Sequence, residues 1–422
     1  MSFELRIFSR APFHALNVQN GKTPNKVATR PKIEPINQRA KPMKKRFLAL
    51  DSFRGIAALS VVIYHLNILG SPSEFDFFRG SYILVEFFFV LSGFVLTHGY
   101  GFKEELKFAP FIKSRIFRLY PLHLVMLFVF LILELFKGLV HNFGLIHFNN
   151  APFSGRSAIS EILPNALLIQ SWTMFTDPVS FNSPSWSISV ELFLYVLLFL
   201  SLSILYKFRT LIWIAFPVLS FYIILFVQQD MITDQILRGL ACFFGGSLTY
   251  LVYKSINIKK VPPLIANVLE FSTLFLVFIT VKSSFEYRNL VAPILFYWAI
   301  LLFSFELGIV SRVLKAGVFQ HLGKVSYSIY MTHMAVLHCV TFSMIGLQKI
   351  TGNTFAPTIG GRPFITFNNN LANNILFFAI LISVVFISQK THQLIELKGQ
   401  QFGRQRFNLY NNLRHRVAGA VK

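Results

Sequence analysis

The stretch Leu50–His65 reads L-D-S-F-R-G-I-A-A-L-S-V-V-I-Y-H, and between Arg54 and His65 every residue is apolar, small or hydroxylated. The two lie eleven positions apart, about three turns of a helix, so both side chains emerge on one stripe roughly 16 Å apart. An ionisable pair on one face of a membrane-spanning helix is expensive to keep, and its default reading is a functional site.

The rest of the chain supplies the membrane. Of its 422 residues 54% are hydrophobic, 49 are Phe and only 14% are charged. Apolar runs of about 18 or more residues recur along it. Ten are read, at about 48–69, 82–100, 119–137, 187–206, 209–227, 232–252, 262–281, 289–306, 323–346 and 372–390. The expected fold is an all-α polytopic membrane protein of about ten transmembrane helices, with the lipid bilayer as its first partner. The formal net charge of +22 raises the question of nucleic acid. With both termini placed in the cytoplasm, the short inner loops hold 13 Lys and Arg against 7 in the outer ones. That is the sign the positive-inside rule requires. The charge therefore reads as topology and attraction to anionic lipid, and no nucleic acid is expected. Cys242 and Cys339 fall within apolar runs and are expected as buried free thiols, with no disulfide or metal framework.

Three regions are expected. Residues 1–46, polar and with Glu4 and Glu34 as their only acids, read as a disordered basic cytoplasmic tail. No apolar segment follows their first basic residues, as a secretory signal would need, although an Arg-rich, acid-poor start also fits a transit-like peptide. Residues 47–390 form the transmembrane domain, and 391–422 a second basic cytoplasmic tail. The basic loop 101–118 is cytoplasmic, and 138–186 is the longest outer connection. Within it N-A-L-L-I-Q-S-W (165–172) is too short to span and suggests an interfacial or re-entrant helix.

Threading the spans puts Glu86 and Glu191 at the depth of His65, each about four residues from the outer end of its helix. A His with a carboxylate at hydrogen-bonding distance has its tautomer fixed and its conjugate acid stabilised, which is what a general base needs. His98, His123 and His338 are expected to be packing residues. At the other end Arg115 and Arg118 share a helix face at i,i+3, with Lys113 just before them. Planar guanidinium groups suit phosphate, so the three are a candidate anion site, although inner loops also carry Arg for topology alone. S-G-F at 92–94 and G-G at 245–246 are expected as close helix contacts.

Together these motifs resemble the acyltransferase-3 family of integral membrane acyltransferases, over about residues 47–390. R-x10-H at Arg54–His65 is similar to the family's defining motif, and F-F-F-V-L-S-G-F at 87–94 to its second-span signature. R-x-x-R at Arg115–Arg118, S-W-S-I-S-V-E at 185–191 and G-K-V-S-Y-S-I-Y-M-T-H at 323–333, with its His333, follow in the family's order. One departure is visible: the position before F-F-F, usually Asp in the family, is Glu86. The resemblance implies a bundle around an acyl-donor tunnel in a bacterial inner membrane. It also implies an acyl-CoA donor, most simply acetyl-CoA, held by Arg115 and Arg118, and an extracytoplasmic glycan or related envelope hydroxyl as acceptor. His65 would be the essential histidine and Arg54 its motif partner, with Glu191 or Glu86 orienting the imidazole and no metal involved. The acyl group, the acceptor and the oligomeric state stay open. A different class, a transporter or channel for an anionic solute, would also use a polar stripe and a basic mouth. Against it, the sequence shows no repeat relating its halves and no clearly broken pair of helices.

Overall fold

A computed structural model describes residues 45–144, 150–227, 233–257 and 261–405. The expected tails therefore lie mostly outside the described residues, at 1–44 and 406–422. Ten helices carry the architecture: α1 (Leu48–His65), α2 (Leu84–Tyr100), α3 (Phe108–Asn142), α4 (Ser185–Ser203), α5 (Arg209–Phe226), α6 (Asp234–Ser255), α7 (Pro263–Lys282), α8 (Arg288–Ser304), α9 (Gly317–Thr351) and α10 (Asn370–Thr391). Among the described residues nine helical segments are long and apolar enough to cross a membrane, and α8, at 17 residues, is a shorter apolar helix. The chain is an all-α polytopic membrane protein. Among the described residues β structure is confined to a bridge between Ile68 and Ile365 and a hairpin pairing Thr358–Ile359 with Arg362–Pro363, whose turn uses Gly360 and Gly361 at φ 57° and 76°.

The helices run up and down between a near end, where α1 begins, and a far end, where it stops at His65. At the near end Lys45 Nζ donates to Tyr253 Oη and the Ser304 carbonyl, and Arg209 donates to the Gly101 carbonyl. At the far end Asn373 donates to the Leu69 carbonyl, and Arg288 reaches Tyr82 Oη. The loop after α9 is held over the end of α1 by backbone bonds from Leu69 to Ile365 and from Ile365 to Asn67. Outward faces of α3, α5 and α7 expose Phe128, Leu135, Leu219, Leu264, Phe271 and Phe275, surface that only hydrocarbon covers favourably. Buried charge is matched. Glu270 of α7 is 1% exposed and accepts from the Gly308 and Ser311 amides and the Ser311 hydroxyl, at the start of the short helix Ile309–Leu314.

Two seams bring backbones into contact, as lipid-immersed helices do through small residues. A Cβ on Gly93 would lie 1.8 Å from the Phe243 carbonyl oxygen, and one on Gly246 2.0 Å from that of Val90, so α2 and α6 touch through the expected S-G-F and G-G sites. Gly55 and Gly323 join α1 to α9 in the same way. Gly93→Ala is expected to destabilise the protein by about 1–3 kcal/mol or more, since neither backbone can yield. A melting temperature in detergent equal to that of the parent would contradict this close approach.

Several local expectations change. The third span begins at Phe108, so Lys113, Arg115 and Arg118 lie inside α3, and Pro121 sits within the helix. The helix expected over 165–172 is not formed as such: a five-residue helix, Ile162–Ala166, ends within it and gives way to turns from 167 on. Leu168 takes φ 56°, and the side chains of Ser171 and Trp172 donate to carbonyls of α4. Cys242 is buried as expected, whereas Cys339 is exposed on the outer side of α9. Residues 391–405 continue α10 as helix through a π turn at His392–Glu396.

Candidate functional site

Among the described residues, two of the bundle's cavities hold the candidate site residues, and a third, about 320 Å³, is walled almost wholly by apolar side chains such as Phe53, Phe87 and Phe296. The near one, about 260 Å³, is lined by Arg54 of α1, Ser92 of α2, Arg115 and Arg118 of α3, Glu191 and Tyr195 of α4, and Tyr327 and Tyr330 of α9. Three guanidinium groups thus meet one carboxylate, leaving the lining net positive. Arg54 has a 3.5 Å contact with Asp51. Arg115 stacks near the rings of Tyr100, Phe111 and Tyr195, at 5.2, 5.7 and 5.8 Å, and its Nε is buried with no hydrogen-bond partner among the described residues. Lys113, two positions before Arg115, is exposed and does not line this cavity, because residues two apart point to different sides of a helix. Donors gathered without carboxylate partners of equal number are what a polyanion needs.

The far cavity, about 190 Å³, is lined by Tyr64 and His65 of α1, Tyr82, Val85 of α2, Trp186 of α4, Gln235 and Arg238 of α6, and Tyr330 of α9. The two cavities share Val85 and Tyr330 in their walls. Tyr330 is tied at this junction by a 3.0 Å hydrogen bond with Ser187. The spacing of α1 therefore puts Arg54 in one cavity and His65 in the other.

The expected partnership of His65 with a carboxylate is not what the structure places there. Glu86 is fully buried and accepts from Arg238 Nε at 2.6 Å. Glu191 is the seventh residue of α4, about 9 Å into the helix. It therefore lies deeper than His65, in the near cavity, where its Oε1 accepts from Ser92 Oγ at 2.6 Å and Tyr195 Oη at 2.5 Å. The ring beside His65 is His333, with centroids 5.3 Å apart. His333 is fully buried and its Nδ1 faces the Ile329 carbonyl at 3.2 Å. A carbonyl only accepts, so Nδ1 carries a proton, and Nε2 has no partner among the described residues.

The histidines expected as packing residues are tied to nearby groups: His98 to Tyr250 Oη and the Lys45 carbonyl, His123 to the Asn165 carbonyl, and His338 to the Met334 carbonyl. Among the described residues no group of three His, Cys, Asp or Glu could hold a metal ion. Arg238 is not among the residues that the sequence motifs single out. The signal was present, since a buried arginine in a span needs a partner, but that partner lies 152 positions away.

Comparison with known proteins gives short matches. "Protein 2 in picA locus" of Rhizobium radiobacter is 43% identical over 86 residues, 20% of this chain and 43% of that protein. The acyltransferase MdmB of Streptomyces mycarofaciens is 32% identical over 152 residues, 35% of this chain and 33% of its own. The peptidoglycan O-acetyltransferase OatA of Listeria monocytogenes is 32% identical over 97 residues, 22% of this chain and 14% of its own. The chain thus spans less than half the length of each of these relatives, and no solved structure matches it. The model of the acyltransferase domain family matches residues 47–389, and since that is most of the chain, the protein belongs to this family, the one its motifs resemble.

Proposed function

We propose that the protein is a membrane O-acyltransferase that moves an acyl group, acetyl in the simplest case, from acyl-CoA to a hydroxyl of a glycan or related cell-envelope acceptor. The observation that carries this reading is the pair of cavities sharing Val85 and Tyr330, one lined with guanidinium groups and the other with imidazole. The near end faces the cytoplasm in this reading, in line with the excess of Lys and Arg in its loops. The membrane is the bacterial inner membrane, and both termini lie on its cytoplasmic side.

The donor's phosphates rest on Arg115, Arg118 and Arg54, and its thioester arm extends past Tyr330 toward the far cavity. Lys113 stays at the surface as part of the basic approach. The acceptor hydroxyl enters from the far side. His65 takes its proton as the oxygen attacks the thioester carbonyl. The neutral His333 ring, with its Nε2 open, offers an acceptor for one N–H of His65 and leaves the other nitrogen free as the base. Glu191 keeps the near cavity's arginines oriented and does not act on His65.

Transfer is tested with purified protein, [14C]acetyl-CoA and an acceptor, following free thiol and label together. Thiol release that needs the acceptor, with label appearing on it, is expected. Flux of an anionic solute through reconstituted protein without thiol release would replace the enzyme with a transporter.

A further inference from the structure

Glu86 and Arg238 are two charges that this reading has not yet used. Their single hydrogen bond, Arg238 Nε to Glu86 Oε1 at 2.6 Å, joins α2 to α6. Arginine's planar fork lets a pair that clamps two helices engage both carboxylate oxygens. Here Glu86 Oε2 is buried without a partner among the described residues, and the contact uses the guanidinium's Nε edge. Among the described residues the Nη groups of Arg238 make no hydrogen bond, and neither is sealed inside the protein. The arginine side chain is 18% exposed while Glu86 is fully buried, and the exposed part opens into the cavity that His65 also lines. Trp186, 6.0 Å from the guanidinium carbon, forms another wall of the same cavity.

We infer that Arg238 is a catalytic residue of the far cavity, its Nη groups holding the acyl carbonyl oxygen as that oxygen becomes negative, with Glu86 as the positioning residue behind it. The inference rests on the acyl-transfer reading above. As the acceptor oxygen bonds to the thioester carbon, its proton passes to His65 and the carbonyl π pair moves onto oxygen. That oxyanion takes hydrogen bonds from the Nη groups of Arg238. When the carbonyl re-forms, the C–S bond breaks and the CoA thiolate leaves, taking the proton back from the imidazolium. Donors fixed in advance in a water-poor cavity stabilise such charge without reorganising at the moment of reaction. Glu86 fixes one edge of the guanidinium and so aims the other.

The test replaces the pair by neutral groups of similar shape. A buried ion pair that is only structural can be replaced this way at little cost, whereas removing one partner strands the other charge. The protein carrying Glu86→Gln and Arg238→Gln together is assayed in detergent with [14C]acetyl-CoA and chitopentaose. The expected result is an unchanged melting temperature and acetyl-CoA KM, with kcat lower by about 10²–10³-fold. Methylguanidinium is expected to restore part of the rate to this variant and leave the parent protein unaffected. A double variant with the parent's melting temperature and a kcat within tenfold of it overturns the inference and leaves the pair as a clamp. Where the double variant does not fold, Arg238→Lys decides. Its single ammonium stays on Glu86, so the same loss is expected, and full activity overturns the inference. A parent protein that releases no CoA above a protein-free blank overturns the acyl-transfer reading and this inference with it.

Discussion

Replacing His65 by alanine is expected to lower acyl transfer by about 10²–10⁴-fold, the range in which a positioned general base contributes. Binding of acetyl-CoA should be unchanged, because His65 lines the far cavity and the arginines line the near one. The fold should hold as well: His65 is the last residue of α1, and the seam to α9 lies further back, at Gly55 and Gly323. Transfer kinetics and donor binding measured on the same purified H65A sample separate the two effects. Loss of donor binding together with transfer would mean that the imidazole supports the donor site, not the chemistry.

The opposite pattern is expected at the other end. Arg115 and Arg118 stand one turn apart on α3, facing a cavity whose lining has only Glu191 to balance its three arginines. A hydrogen bond to a charged group contributes about 1.5–3 kcal/mol, so Arg115→Ala with Arg118→Ala should raise the acetyl-CoA KM by well over about tenfold. The kcat at saturating donor should change far less, since neither side chain reaches the reacting atoms. Isothermal titration with CoA gives an independent reading, because CoA has the phosphates without the thioester. Equal CoA affinity in parent and double variant would remove these arginines from donor binding.

What could be read from the sequence divides along a physical line. The Arg54–His65 stripe and the Arg115–Arg118 pair were legible because helical spacing is local: three or eleven residues fix a shared face whatever surrounds the helix. Hydropathy marked the spans for the same reason. It gives depth along the membrane normal but not direction around the helix axis. Glu86 and Glu191 were therefore placed near His65 by depth alone, and their partners proved to be Arg238 on α6 and Ser92 and Tyr195. Cys339 was assigned to the interior on the same grounds and is exposed. The helix expected over 165–172 failed for another reason. Ser171 Oγ donates to the Trp186 carbonyl of α4 and the Leu168 carbonyl accepts from Ser189 Oγ of α4, contacts that local pattern does not encode. The apolar run at 119–137 marked only part of α3, whose first three turns are basic and carry Pro110, which a helix accepts in its first turn.

Everything turns on whether chemistry at His65 draws its acyl group through the shared wall of Val85 and Tyr330. Proteoliposomes with the Arg115 end outward, labelled acetyl-CoA outside and glycan acceptor sealed inside, measure this directly. Labelled acetyl on the enclosed glycan is the predicted result. Transfer that occurs only when donor and acceptor occupy the same compartment would contradict it.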